Sequence, residues 1–370
     1  MAITVRAILT VLFLVFTMPL TAQPANPLEG LARLSDLSID MQWFLSYQLG
    51  ESNDAEFNRF ALKRGYVNIK KGINKTFSGR ITTDITTDRE GDGEGDIEMR
   101  LKYLYLKTQM PSFGPFHKPY LEFGLVHTPW IDFEQAINRY RVQGSMFLDR
   151  NDMVSSADFG VVFMSLFGGT MDKKYTETVN GKYPGRYGSM SVGIFNGGGY
   201  HALEYNNNKA VEGRVTIRPI PDRVPGLQVT GHGAIGKGNI AASPDWRYGS
   251  AYLSYEHARL VLTGELFHAD GNFEGTALRN DPAGDALPQR GYSLFGELRL
   301  LDRRISLVGR YDVFTREFGM GDVDDTRTIA GIAWHFVSRS KLFLNIDRLD
   351  RGTPGAFDPW VAELALELIM

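Results

Sequence analysis

Residues 97–105 read IEMRLKYLY, with a charge at every second position for three steps and an apolar or aromatic side chain between the charges. A period of two sends successive side chains to opposite faces of an extended strand, whereas a helix would scatter the same charges around its surface. This spacing predicts a strand with Ile97, Met99, Leu101, Tyr103 and Tyr105 on one face and Glu98, Arg100 and Lys102 on the other. The same alternation returns along the chain, giving about sixteen segments of barrel-strand length. ISLVGRYDVF at 305–314 is one, with Ile305, Leu307, Tyr311 and Val313 opposed to Arg310 and Asp312. WVAELALELIM at 360–370 is another, with Leu364, Leu366, Leu368 and Met370 opposed to Glu363 and Glu367.

Alternation alone does not say which face meets water, because a soluble sandwich and a membrane barrel share the pattern. The N-terminus narrows the choice. Arg6, the apolar run AILTVLFLVF and the small residues near LTAQ read as a secretory signal peptide, residues 1–22, cut after about Ala22. Beyond it no apolar run approaches the ~20 residues that a spanning helix needs. Export, alternation and no spanning helix together predict an all-β transmembrane antiparallel barrel over 23–370, located in the bacterial outer membrane with lipid around its apolar face. Loss of the signal removes only Arg6 and moves the formal charge from -3 to -4, which names no nucleic-acid or other charged partner. The absence of cysteine excludes a lipoprotein anchor, a thiol nucleophile and any Cys-ligated metal.

Connection lengths support the barrel, since outer-membrane barrels have short turns at one end and longer loops at the other. Short links are expected at 72–76, 219–226, 256–259, 301–304 and 337–341, and long ones near 127–156, 196–209, 268–290, 314–325 and 349–359. Residues 168–186 are too long for a short turn, so they are either an unusual turn or a missed hairpin. The longest loop, 127–156, carries Trp130, Phe133, Ile137 and Phe147, which suit it to folding inward against the wall. Its charges, Arg139, Arg141 and Arg150 against Asp132 and Glu134, would then form the pore constriction. The expected pore-wall cations are Arg80, Arg100, Lys102, Arg214, Arg218, Arg299, Arg310 and Arg327. Cross-strand pairing with wall carboxylates is the alternative role for each.

Nothing in the motifs calls for catalysis, a cofactor or a metal: the chain has neither H-E-x-x-H nor G-x-S-x-G. His232 and His335 read as wall residues, and the acidic stretch 88–96 as a solvated turn. The function expected is passive diffusion of small hydrophilic solutes or ions, with an outer-membrane barrel hydrolase as the alternative.

FGLVHTPWIDFE with FLDRNDMVSSADFGV, within 123–161, and SVGIFNGGGYHALEYNNNKAVEGRVTIRPIP at 191–221 resemble the phosphate-selective porin O and P family. The resemblance implies a sixteen-stranded, trimeric channel with an inward-folded third long loop. Anion-specific members cluster lysine and arginine at the constriction. Here 128–155 holds no lysine, only Arg139, Arg141 and Arg150 among four carboxylates.

Overall fold

The fold was analysed in a computed structural model that describes residues 36–52, 55–88, 93–279, 284–318, 321–337 and 339–370. The proposed signal peptide and Asp92 of the acidic stretch lie outside the described residues.

Sixteen antiparallel strands close into one barrel, each paired with its neighbours in sequence and β1 with β16. They are β1 (Leu37–Ser52), β2 (Ala55–Gly72), β3 (Phe77–Thr87), β4 (Ile97–Gln109), β5 (Phe116–His127), β6 (Ala157–Phe167), β7 (Gly188–Phe195) and β8 (Ala210–Ile217) in the first half. The second half is β9 (Leu227–Lys237), β10 (Asp245–His257), β11 (Leu260–Asp270), β12 (Pro288–Leu300), β13 (Ile305–Glu317), β14 (Asp322–Val337), β15 (Ser340–Asp350) and β16 (Trp360–Ile369). Closure satisfies the edges of the sheet, which is what allows sheet to cross hydrocarbon. The seam is in register, with Leu45 opposite Leu366 and Trp43 opposite Leu368, and Met41 and Met370 exchange both backbone hydrogen bonds at 2.9 Å.

The alternation sorts side chains as the physics requires. On β13, Leu307 is 42% exposed on the outer face while its neighbours Ser306 and Val308 are buried inside. Leu364 faces out on β16, and Glu363 and Glu367 face in. The segment with the most regular alternation departs from its expected faces. The β3–β4 register steps from Thr82↔Tyr103 to Thr83↔Leu101, leaving Lys102 as the extra residue of a bulge. A bulge reverses the phase of every residue beyond it. Tyr103 and Tyr105 therefore turn into the lumen and Leu104 and Leu106 take the lipid face.

The two ends of the barrel differ as expected, with two corrections. β13 runs to Glu317 and β14 starts at Asp322, so both strands extend into the stretch 314–325 that was expected to be a long link. Residues 168–187 hide no hairpin: they form one long turn at the short-turn end, carrying the helix Lys173–Thr178, whose N-cap Asp172 accepts from the Tyr175 amide at 2.7 Å.

Two tests address this architecture. Leu307→Arg would place a charge on the lipid face, costing ~2–4 kcal/mol at midplane depth. Its folded fraction in vesicles, read by heat-dependent gel migration, should fall, while Leu307→Ala stays close to the parent. Deleting residues 366–370 unpairs residues 41–45 of β1, and the truncated chain should fail to assemble in the same assay.

Candidate pore constriction

The loop between β5 and β6, residues 128–156, lies inside the barrel. It holds α1 (Ile131–Ile137) and α2 (Phe147–Arg150), and the turn helix Lys173–Thr178 is α3. Its apolar side chains hold it there. Trp130 is fully buried, stacked on His232 at 3.6 Å and 7° and edge-on to Tyr252 at 4.9 Å. Tyr140 meets Phe343 at 5.0 Å and donates its hydroxyl hydrogen to Glu297 at 2.8 Å. Phe147 packs edge-on against Phe267 at 5.5 Å, and the Trp246 indole donates to the Met153 carbonyl at 3.1 Å. Truncating any one of these aromatics to alanine removes roughly 3–5 kcal/mol.

A loop with so little helix leaves backbone carbonyls needing donors. Four wall cations supply them. Arg214 of β8 donates to the Pro129 carbonyl at 3.0 Å, Arg310 of β13 to Ser145 at 3.0 Å, Lys341 of β15 to Arg139 at 2.8 Å and Lys63 of β2 to Gln143 at 2.8 Å.

This geometry corrects part of the expected pore wall. Arg214 is 1% exposed, sandwiched under the loop with Phe133 at 4.1 Å. Arg218, 2% exposed, donates to the Gly185 carbonyl at 3.1 Å and the Tyr175 hydroxyl at 3.0 Å, so it holds the long turn. Arg310 is bound to Asp312 at 2.7 Å beneath Ser145, and Arg299 to Glu297 at 2.6 Å. Arg327 and Arg150 share Asp347, at 3.0 and 3.1 Å. These cations are covered or paired because the inserted loop and turn occupy the space in front of them.

The loop charges also divide. Asp132 is paired with Lys182 at 2.6 Å and accepts from the Tyr183 hydroxyl. Burial would raise its pKa, but Lys182 and His127 beside it hold it below the usual carboxylate range. Glu134 is buried with one oxygen unpartnered. Burial, with Glu265 nearby, pushes its pKa well above the usual carboxylate value. Arg139 donates to the Val179 carbonyl at 2.7 Å, and Asn180 donates to the Ala136 carbonyl at 3.0 Å. The long turn therefore meets the loop from the short-turn end. Arg141 is half-buried near Lys63 and Tyr66, and no ion pair holds it among the described residues.

The opposite wall keeps its charge. Arg64 and Arg100 both approach Asp84, at 2.6 and 3.7 Å, and Tyr200 donates to the same carboxylate at 2.7 Å. Arg100 also meets Glu98 at 3.2 Å, and Lys63 pairs with Glu363 at 2.7 Å. Lys102 is buried among the rings of Tyr66 and Tyr200, at 5.1 and 5.3 Å. Below them Arg80 bonds to Asn68 at 2.7 Å, Thr82 at 2.8 Å and His127 at 3.0 Å. The structure thus brings Arg80, Arg100, Lys102 and Arg141 to one side of the lumen and adds Lys63 and Arg64, which sequence reasoning missed. Their signal was the adjacent pair in FALKRGY, read as part of a family pattern and not as two inward side chains.

No protein family profile and no curated protein matches the chain. Solved structures do. A loop-deleted OmpT, an outer membrane protein of Vibrio cholerae, superposes with a TM-score of 0.60 at 14% identity, covering 90% of this chain and 100% of its own. An anion-selective porin from Comamonas acidovorans gives 0.60 at 10% identity, with the same coverages. OmpF of Salmonella typhi gives 0.59 at 11%, covering 90% of this chain and 97% of that one. The chain thus has the closed sixteen-stranded antiparallel barrel fold of the porins of the bacterial outer membrane.

Proposed function

We propose that the protein is a passive diffusion channel of the outer membrane that prefers small hydrophilic anions and catalyses no reaction. The observation that supports this reading is the basic group of Arg64, Arg100 and Lys102 around Asp84 with Lys63 and Arg141 beside it, where Glu98 and Glu363 are the further carboxylates in contact among the described residues. Fixed cations in a narrow aqueous passage raise the local concentration of anions and lower that of cations. Phosphate is one such anion. Assembly as a homotrimer belongs to the same reading, as in the OmpT structure described as a trimer form, and cross-linking in detergent would test it.

Reversal potential across a planar bilayer under a salt gradient tests the preference. The parent should favour anions, and Arg141→Glu should shift the potential toward cations. The shift should shrink as the Debye length falls from ~10 Å at 0.1 M to ~3 Å at 1 M salt. Arg279→Glu, in the long loop after β11, should do much less. Equal shifts from the two variants would remove Arg141 from the constriction.

A second measurement addresses the contact between loop and turn. Asp132→Asn removes the charge that holds Lys182 and Tyr183, so single-channel records should show more frequent current fluctuations than the parent. Unchanged records would mean that the Arg139 and Asn180 bonds hold the turn without Asp132.

A further inference from the structure

Between the β3–β7 wall, the start of the inserted loop and the long turn lies a cavity of about 290 Å³. We propose that this cavity is a binding subsite for a small organic monocarboxylate with a flat apolar body. The proposal names a solute class for the diffusion channel above and rests on that reading.

Charge accounting points to an anion. Three cations, Arg80, Lys107 and Lys182, line the cavity, with two carboxylates. Asp132 is taken by Lys182 at 2.6 Å and by the Tyr183 hydroxyl. Glu122 accepts from or pairs with His127 at 3.1 Å and stands 3.7 Å from Lys107. Arg80 feels the charge of Asp132 across the cavity but has no carboxylate in contact among the described residues, for its hydrogen bonds go to Asn68, Thr82 and His127. An arginine with no carboxylate in contact has donors to spare for an incoming anion, and its planar fork suits a carboxylate. Lys107 lies 3.1 Å from the Tyr120 ring centre, so a second cation waits beside an aromatic face.

The remaining lining decides the rest of the ligand. Tyr105, Tyr120, Val162 and Met164 give apolar surface next to the cations. A hydrated inorganic ion gains nothing from such surface, whereas a carboxylate with a ring buries that ring against it. The volume lies just below the ~300–1,000 Å³ typical of ligand sites, which favours a single small ring. Gly181, Lys182 and Tyr183 of the long turn close one side of the cavity. A bound carboxylate would therefore compete with Asp132 for Lys182.

The test uses the full barrel in a planar bilayer, with benzoate, acetate and benzylamine added in turn at fixed ionic strength. Benzoate should interrupt the current at concentrations at least about tenfold below acetate, given the added burial of a ring, and benzylamine should have no such effect. Arg80→Gln should weaken the benzoate effect at least about tenfold, the size of a lost charge-assisted hydrogen bond. Lys107→Gln is the second variant, with folding of both checked by gel migration, and should weaken it in the same direction. Benzoate no better than acetate, or full sensitivity in both variants, overturns the subsite and leaves an anion preference standing. A cation-preferring parent overturns the channel reading instead, while calorimetric benzoate binding that Arg80→Gln abolishes would still support the cavity.

Discussion

Irregular backbone inside a barrel must find hydrogen-bond partners away from bulk water, and the rest of the lumen follows from how this chain meets that demand. The inserted loop has two short helices and many carbonyls outside them. Arg214, Arg310, Lys341 and Lys63 each reach one of those carbonyls from a different strand. Ionised donors make stronger bonds than neutral ones, and a cation that is well bonded on both sides is also well placed to stay buried. The aromatic anchors then add packing to a loop whose path the cations have already limited. The wall at Arg214, Arg310 and Lys341 is consequently structural, although by type and direction its residues look like pore lining, while Lys63 serves both the loop and the charged wall.

Much of this was legible from residue order alone. Period-2 alternation in 305–314 and 360–370 gave correct faces for Leu307 and Leu364 because a paired strand in a closed sheet keeps its phase. The long loop with Trp130, Phe133 and Phe147 signalled its insertion because so many large apolar groups have no place in water. What failed was non-local. The bulge at Lys102 depends on the register of β4 against β3, which no spacing within β4 contains, and it turned Tyr103 and Tyr105 from lipid to lumen. Arg214 and Arg310 were placed on the correct face, yet only the position of the loop shows that they are covered. The long turn was seen as an anomaly, but its bonds to Ala136 and Arg139 join segments about forty residues apart.

The turn changes the symmetry of the passage. In a barrel whose short-turn end carried only tight turns, the inserted loop would be tied to the wall alone. Here Asp132, Arg139 and Ala136 are also tied to residues 179–183, so loop and turn support each other across the lumen. Arg303, in the turn between β12 and β13, adds a bond to the Thr178 carbonyl at 3.1 Å. Motion of either segment has to break contacts of the other, which couples the geometry of the opening to the end of the barrel opposite the long loops.

The division of cations has an electrostatic consequence for anything that passes. An arginine and a carboxylate in contact, such as Arg310 with Asp312 at 2.7 Å, form a dipole whose field falls off steeply with distance. A cation without such a partner keeps a field that only salt screens, over about 10 Å at 0.1 M. Most of the arginines on the side that holds the loop belong to the first kind. Arg64 and Arg100 share Asp84, while Arg80 and Arg141 have no carboxylate in contact, so they belong largely to the second. The formal charge of the whole chain is negative, yet the potential a solute meets depends on these few side chains and not on the sum. Selectivity in such a barrel is decided by which wall the loop leaves uncovered.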